Sequence, residues 1–229
     1  MGPDPRREWS ARELAAVIDH TLLAPGATPA DIEHLCDEAR EHGFANVCVN
    51  GVHARRCAER LRGSRVGVCA VVGFPLGASH PLVKVREARQ ALEDGVREID
   101  MVLQLGALRA GEHASVARDV EGVVAEARLA RALVKVILET GLLTRAEIVA
   151  ACRLAEAAGA DFVKTSTGFG PRGATRADVE LLRASVSARV GVKASGGVRT
   201  ASLARELLAA GATRLGTSAS LELLAALEP

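Results

Sequence analysis

The sequence has no tyrosine, and aromatic residues make up only 2% of its 229 positions. Single-stranded nucleic acids bind proteins largely by stacking their bases on aromatic rings, and this chain has few rings to offer. Its formal net charge is only +1, so no strong field would attract it to phosphate backbones or to anionic lipid. These scarcities argue against nucleic acids and membranes as partners.

Signals for export, membrane insertion and covalent cross-linking are missing as well. No window approaches the roughly 18 apolar residues of a transmembrane helix, and residues 1–10 carry proline and charge where a signal peptide would be apolar. The five cysteines form no C-x-x-C pair, and the six histidines show no ligand spacing. We therefore predict a cytoplasmic protein that holds no metal ion.

Short runs rich in Val, Ile and Leu alternate with longer amphipathic stretches, which is the pattern of βαβ units around a parallel sheet. Threonines followed by an acid three residues later predict helix starts at Thr28, Thr144 and Thr175. Glycines that precede strands predict helix ends at Gly43, Gly95, Gly159 and Gly211. The predicted strands cover 19–22, 46–50, 66–72, 98–102, 134–138, 161–165, 190–194 and 213–216.

Eight strand–helix units in this length predict an α/β protein with a single-domain (β/α)8 barrel. A doubly wound open sheet is the competing architecture, and the even spacing of the units favours the barrel. We expect residues 11–229 to form the barrel and residues 1–10 to form a flexible tail.

Lysine is scarce too, with four lysines among 29 basic residues. Lys135, Lys164 and Lys193 lie inside apolar runs that we predict to be strands, as does Asp100. Both faces of a parallel sheet covered by helices are buried, so these side chains are expected to point into the barrel. They are expected to converge at the carboxyl ends of the strands, where barrel active sites lie.

Buried ion pairs without a catalytic role would explain one such lysine, but three lysines and an acid favour a function. Burial and a second positive charge both favour a neutral amine, which is the form that attacks a carbonyl carbon. The resulting Schiff base is an electron sink that permits carbon–carbon cleavage, and a nearby carboxylate can transfer protons. We therefore predict a catalytic set of Lys164, Lys193 and Asp100.

Glycine-rich turns follow the last three predicted strands. Their backbone amides suit an anion, and loops at this place in a barrel commonly bind phosphate, although tight turns alone would also explain the glycines. We expect a small phosphorylated substrate. The predicted binding residues in these turns are Gly168, Gly170, Gly196, Gly197, Gly216 and Ser218.

The spacing of Gly168, Gly170 and Gly173 also matches a dinucleotide-binding fingerprint. The acid expected about 20 residues later is missing and the strand is not the first, so we predict no cofactor. Two further strand residues could line the site. These are His20 and Cys48, although a buried cysteine is more often a packing residue.

Six blocks along the chain carry a resemblance to a known family: DHTLL at 19–23, VCVN at 47–50, EIDMV at 98–102, KVILET at 135–140, FVKTSTGF at 162–169 and VKASGGVR at 192–199. In this order they resemble the deoxyribose-phosphate aldolases, which are class I, Schiff-base aldolases with a (β/α)8 barrel. The resemblance implies that Lys164 forms the Schiff base and that Asp100 and Lys193 relay protons. It adds Asp19 and Lys135 as supporting polar groups, while the Thr165 hydroxyl is expected to orient the imine.

The same resemblance implies a homodimer. It also implies that the substrate phosphate binds at Gly196, Gly197 and Ser218. The implied reaction is the reversible cleavage of 2-deoxy-D-ribose 5-phosphate into acetaldehyde and D-glyceraldehyde 3-phosphate, in deoxyribonucleoside catabolism. Another Schiff-base sugar-phosphate aldolase, a transaldolase-like barrel and a non-catalytic sugar-phosphate-binding barrel are the alternatives. Gly51, Gln104 and Leu105 depart from the family pattern, but none of them is a catalytic position.

Overall fold

The computed structural model describes residues 9–227 and contains a closed barrel of eight parallel strands. Each strand pairs with the next in chain order, and β8 closes the barrel by pairing with β1. This arrangement confirms the predicted (β/α)8 barrel over the open doubly wound sheet. The strands are β1 (Ile18–Leu22), β2 (Asn46–Val49), β3 (Gly67–Val72), β4 (Glu98–Val102), β5 (Leu133–Ile137), β6 (Phe162–Lys164), β7 (Gly191–Ser195) and β8 (Arg214–Thr217).

Helices cover the outside of the barrel, and two short 3-10 helices, Gly51–His53 and Thr140–Leu142, follow β2 and β5. Within residues 9–227 the α-helices are α1 (Ala11–Ala15), α2 (Pro29–His42), α3 (Ala54–Arg60), α4 (Pro81–Glu93), α5 (Leu105–Arg109), α6 (His113–Leu129), α7 (Arg145–Ala157), α8 (Arg176–Ser185), α9 (Ala201–Ala209) and α10 (Ser220–Ala225).

The predicted helix boundaries have the expected hydrogen bonds. Thr28 and Thr144 form capping boxes at the starts of α2 and α7, and the Thr175 hydroxyl accepts from the Asp178 amide at the start of α8. The four predicted helix-end glycines all have positive φ angles, from 70° at Gly43 to 110° at Gly211. Local sequence therefore sets where four of the eight helix-to-strand joints occur.

The apolar core lies between the sheet and the helices. Alternate strand residues such as Val47, Ile99, Val136 and Val192 are fully buried in it. Each such side chain contributes about 1.5–3 kcal/mol by leaving water. The intervening strand residues point into the barrel, because successive side chains of a strand face opposite sides.

The observed strands differ from the predicted ones by at most one residue at each end, and β4 has the predicted bounds. The predicted strand 161–165 shortens to Phe162–Lys164, and the Asp161 carboxylate accepts a hydrogen bond from the Val134 amide at the edge of the sheet. Of the predicted tail, residues 1–8 lie outside the described residues. Ser10 is the cap of α1, since its side chain accepts from the Glu13 amide.

Candidate active site

Four buried charged side chains meet inside the barrel, as the sequence predicts. Asp100 is at the centre, with its Oδ1 2.8 Å from Lys135 Nζ and its Oδ2 2.6 Å from Lys164 Nζ and 2.7 Å from Lys193 Nζ. They lie on β4, β5, β6 and β7, four consecutive strands. Lys164 and Lys193 are direct partners in the β6–β7 register.

The charges in this cluster shift one another's protonation. Burial alone would raise the pKa of Asp100, but the three lysine ammonium groups outweigh burial and hold that pKa well below its usual range. Burial would lower the pKa of Lys193, but Asp100 and Asp19 raise it. Lys135 behaves in the same way: burial would lower its pKa, but nearby negative charges, with Asp100 the largest contributor, raise it. Asp100 therefore stays ionised, and Lys135 and Lys193 stay cationic.

A second layer of polar residues lies below the cluster, toward the amino ends of the strands. Asp19 contacts Lys193 by a very short ion pair and accepts from Asn46 Nδ2 at 2.8 Å and from Arg214 Nη1 at 2.6 Å. Glu98 Oε2 lies 2.6 Å from Lys135 Nζ and 3.1 Å from Arg214 Nη1. The two layers form one continuous network.

Three members of the lower layer were not predicted. Asn46, Glu98 and Arg214 are the first residues of β2, β4 and β8. Asn46 and Glu98 each lie two positions before a residue that was considered for the site, namely Cys48 and Asp100. Arg214 lies two positions before Gly216, which was predicted to bind phosphate. The two-residue period of a strand was the signal that could have identified them.

A cavity of about 440 Å³ opens at the carboxyl ends of the strands, above the cluster. Its lining includes six predicted residues: Lys164, Gly168, Gly196, Gly197, Gly216 and Ser218. The other lining residues are Thr21, Leu22, Leu23, Ala24, Pro25, Thr167, Phe169, Ser195, Val198, Arg199 and Thr217. Lys164 is thus the member of the charged cluster that borders the cavity, while Asp100, Lys135 and Lys193 are fully buried beneath it.

Three glycine positions show why this wall needs residues without side chains. Gly196 and Gly197 have φ angles of 86° and 73°, a left-handed conformation that glycine adopts without strain. A Cβ on Gly216 would lie 2.9 Å from Lys193 Cε, so the bare backbone leaves room for that side chain. The turns after β7 and β8 therefore expose backbone to the cavity.

Two predicted binding residues point elsewhere. The Thr165 hydroxyl donates to the Ser195 carbonyl and accepts from the Ser195 amide, both at 3.1 Å, and so joins β6 to β7. Gly170 packs against the carboxylate of Glu139, and neither Gly170 nor Thr165 borders the cavity described here. His20, which the sequence offered as a residue that could line the site, does not border the cavity. It follows the inward-facing Asp19, and its ring contacts helix residues instead.

Cys48 is fully buried inside the barrel beside Cys69, its register partner on β3. Cys69 Sγ lies 3.1 Å from Asp100 Oδ1 and 3.3 Å from Lys135 Nζ. Potential ligand atoms of Cys48, Cys69 and Asp100 lie within 4.8 Å of one another, a spacing that a metal ion could use. Three lysines already form ion pairs with the Asp100 carboxylate, and their positive charges would repel a metal cation. This set of residues is therefore unfavourable for a metal ion.

The barrel, its lysine cluster and its glycine turns can be compared with known proteins. The profile of the DeoC/LacD family of aldolases matches residues 14–222. The chain belongs to this aldolase family. The family resemblance seen in the six sequence blocks is therefore confirmed.

Individual members of this family are similar over nearly the whole chain. The deoxyribose-phosphate aldolase of Geobacillus sp. (strain WCH70) is 52% identical over 211 residues, which cover 92% of this chain and 94% of the relative. That of Clostridium novyi (strain NT) is also 52% identical over 211 residues, with 92% and 95% covered. The tetrameric deoxyribose phosphate aldolase of Aeropyrum pernix has a TM-score of 0.89 at 37% identity, with 94% of this chain and 91% of that chain covered.

Among the described residues, no helix has both the length and the apolar character needed to cross a membrane.

Proposed function

We propose that this aldolase cleaves 2-deoxy-D-ribose 5-phosphate reversibly into acetaldehyde and D-glyceraldehyde 3-phosphate, with Lys164 as the Schiff-base lysine. The observation that carries the proposal is the position of Lys164, which borders the cavity while its Nζ lies 2.6 Å from Asp100. A substrate aldehyde in the cavity could reach this amine. Lys135 and Lys193 lie deeper and are enclosed by protein atoms.

The charge count of the network supports a neutral amine at this position. Cations outnumber carboxylates by one, so the loss of a single proton leaves the network neutral and removes repulsion among buried charges. Lys135 and Lys193 have raised pKa values, and Lys164 is the lysine of the network that borders the cavity. The network consists of Lys135, Lys164, Lys193, Arg214, Asp19, Glu98 and Asp100.

In the proposed reaction the neutral Lys164 amine adds to the C1 aldehyde, and loss of water gives an iminium ion. Removal of the C3 hydroxyl proton then breaks the C2–C3 bond. The bonding electrons flow into the iminium to give an enamine, and D-glyceraldehyde 3-phosphate leaves. Protonation of the enamine at C2 and hydrolysis of the imine release acetaldehyde and restore the amine.

We assign Asp100 and Lys193 to the proton transfers in this sequence. Asp100 Oδ2 accepts from both lysines, so one carboxylate oxygen lies beside the nascent iminium and beside a permanent cation. The carboxylate stabilises the positive charge of the iminium and can exchange protons with the substrate, directly or through water. Lys135 and Lys193, whose pKa values are raised, keep Asp100 ionised.

We assign the substrate phosphate to the part of the cavity lined by the turns that contain Gly196, Gly197 and Ser218. Their exposed backbone suits an anion, and Ser218 adds a hydroxyl donor. We further propose a role in deoxyribonucleoside catabolism, a homodimeric assembly and a cytoplasmic location. The free thiols of Cys36, Cys48, Cys57, Cys69 and Cys152 fit a reducing compartment.

Borohydride reduction in the presence of 2-deoxy-D-ribose 5-phosphate, followed by peptide mapping, tests the proposal. The expected result is loss of activity together with a single reduced adduct on Lys164. An adduct on Lys193 would reverse the two assignments. An enzyme that turns over substrate but is never trapped would overturn the Schiff-base mechanism.

A further inference from the structure

We propose that Glu139 is a positioning residue that holds the loop after β6 in the shape needed to recognise the phosphate. The inference deepens the proposed function and depends on it. Glu139 belongs to none of the charged groups described above, and it lies two residues after the end of β5. Its side chain is only 3% exposed.

The backbone at Glu139 is unusual in a way that aims its side chain. The Leu138 amide donates to the Lys164 carbonyl and the Thr140 amide donates to the Thr165 carbonyl, both at 2.9 Å. Two residues on this side thus oppose one residue on the other, which is a β-bulge with Glu139 as the extra residue. Its φ of 55° is left-handed, a conformation that a residue with a Cβ adopts at a cost. Such strain persists where the surroundings enforce it, commonly at functional sites.

The bulge directs the Glu139 carboxylate to Thr167, which lies in the loop between β6 and α8. Oε2 accepts a very short hydrogen bond from the Thr167 hydroxyl and a second one, at 3.3 Å, from the Thr167 amide. The Thr167 hydroxyl in turn accepts from the Phe169 amide at 3.0 Å. Thr167 and Phe169 both border the cavity, so Glu139 fixes part of its wall from behind.

The same loop supports the turn that we assign to the phosphate. The Ala174 amide donates to the Gly196 carbonyl at 3.0 Å. A Cβ on Gly173 would lie 2.0 Å from the Gly196 carbonyl oxygen, which shows how closely the two backbones approach. A shift of the loop would therefore move Gly196. Contacts thus run from Glu139 through the loop to the proposed phosphate turn.

Gly170 is the second residue on which this arrangement of Glu139 and the loop depends. A Cβ at Gly170 would lie 2.7 Å from Glu139 Oε1, and this oxygen has no hydrogen-bond partner in the described part of the chain. Gly170 has no positive φ, so its backbone alone would tolerate alanine. We infer that the glycine at 170 is required to admit the Glu139 carboxylate, in place of the phosphate contact that the sequence suggested.

The test measures kcat and KM for 2-deoxy-D-ribose 5-phosphate and for 2-deoxy-D-ribose, together with Tm. Glu139→Ala leaves the left-handed backbone occupied by a residue with a Cβ and so isolates the loss of the carboxylate. We expect KM for the phosphorylated sugar to rise about tenfold or more, as for loss of a hydrogen bond to a charged group. The rise in KM for 2-deoxy-D-ribose should be smaller. Glu139→Gln keeps one acceptor oxygen, so its KM for the phosphorylated sugar should lie much closer to that of the unchanged enzyme.

Gly170→Ala should reproduce the Glu139→Ala phenotype, because the added methyl displaces the carboxylate. In the double variant Glu139→Ala/Gly170→Ala, KM should rise little beyond its value in either single variant, since both changes act through the same contact. Glu121→Ala and Gly106→Ala are matched controls: Glu121 is exposed on α6, and a Cβ on Gly106 meets nothing within 4 Å. Both controls should behave like the unchanged enzyme.

The outcomes separate this inference from the proposed function. If the unchanged enzyme does not cleave either sugar, the proposed function fails. If it does, and Glu139→Ala lowers activity on both sugars equally in step with Tm, Glu139 is only structural and the inference is overturned. Additive effects of Glu139→Ala and Gly170→Ala would also overturn it.

Discussion

Lys164 and Lys193 are register partners on neighbouring strands, and they donate to the same carboxylate oxygen at 2.6 and 2.7 Å. Their surroundings differ nonetheless. Lys193 also contacts the buried carboxylate of Asp19, whereas Lys164 has one carboxylate partner and borders the cavity. A lysine with two carboxylate partners is held as a cation, and a lysine with one is freer to act as a nucleophile.

This difference predicts distinct phenotypes for the two lysines. Lys164→Ala should abolish both turnover and trapping by borohydride, because no other amine borders the site within the described chain. Lys193→Met should keep the trapped adduct on Lys164 while turnover falls by on the order of a hundredfold or more, because proton transfer is impaired. Kinetics and mass spectrometry of reduced peptides measure both effects. Trapping that survives in Lys164→Ala would contradict the assignment.

The proposed phosphate site predicts a strong preference between two related sugars. 2-Deoxy-D-ribose should be cleaved with a kcat/KM lower by on the order of a hundredfold or more, because binding of a remote phosphate positions the reacting aldehyde. Sulfate should compete weakly with the phosphorylated sugar. Ser218→Ala should reduce the ratio of kcat/KM between the phosphorylated and the unphosphorylated sugar. The kinetics of the unphosphorylated sugar should stay close to those of the unchanged enzyme. Equal efficiency on both sugars would argue against a phosphate site.

The ionised state of Asp100 predicts how stability depends on pH. A carboxyl group with a lowered folded pKa adds stability above its unfolded pKa of about 3.9, and this stability is lost as the pH falls toward the folded pKa. Asp100→Asn should therefore lower the free energy of unfolding by about 3–5 kcal/mol near neutral pH, since it leaves buried ammonium groups short of a partner. The difference from the unchanged enzyme should shrink below about pH 4. Urea unfolding across this range measures it.

A second aspartate provides the comparison for that experiment. Asp37 also has a lowered pKa, caused first by its hydrogen bond from Arg60, but both side chains are partly exposed to solvent. Asp37→Asn should change the unfolding free energy little at any pH, because water screens an exposed pair. A pH-independent loss in Asp100→Asn would show that the charge of Asp100 does not account for its contribution.

Much of this site follows from local patterns in the sequence. The positions of Lys135, Lys164 and Lys193 within apolar runs were sufficient to predict that they point into a barrel, because a charge has no other place in a strand buried on both faces. Thr28 and Thr144 likewise mark helix starts through contacts within four residues. Predictions that depend on sequence-local chemistry were thus the reliable ones.

Other features depend on backbone geometry or on distant partners. The bulge at Glu139 exists only through its pairing with β6, so nothing in the block KVILET indicates a left-handed residue there. Gly170 follows a strand in a glycine-rich turn and was assigned to phosphate, although the structure places the Glu139 carboxylate against it. Lys84 was not predicted to be buried, because its segment has the pattern of an ordinary amphipathic helix.

Lys84 is in fact fully buried on α4, where its Nζ lies 2.5 Å from Asp119 Oδ2 and donates to the Val102 carbonyl at 2.8 Å. Burial lowers the pKa of Lys84 and raises that of Asp119, so each residue needs the other to remain charged. The pair joins α4 to α6 and satisfies the carbonyl at the end of β4, two residues after Asp100.

This second buried pair predicts a stability effect away from the cavity. Lys84→Met should lower the free energy of unfolding by about 3–5 kcal/mol, because it leaves the Asp119 carboxylate buried without a counter-charge. The double variant Lys84→Met/Asp119→Leu should recover much of that loss, since two apolar side chains of similar size remove the unpaired charge. Urea unfolding of the single and double variants measures the coupling. A double variant as unstable as the sum of its parts would show that the two residues act independently.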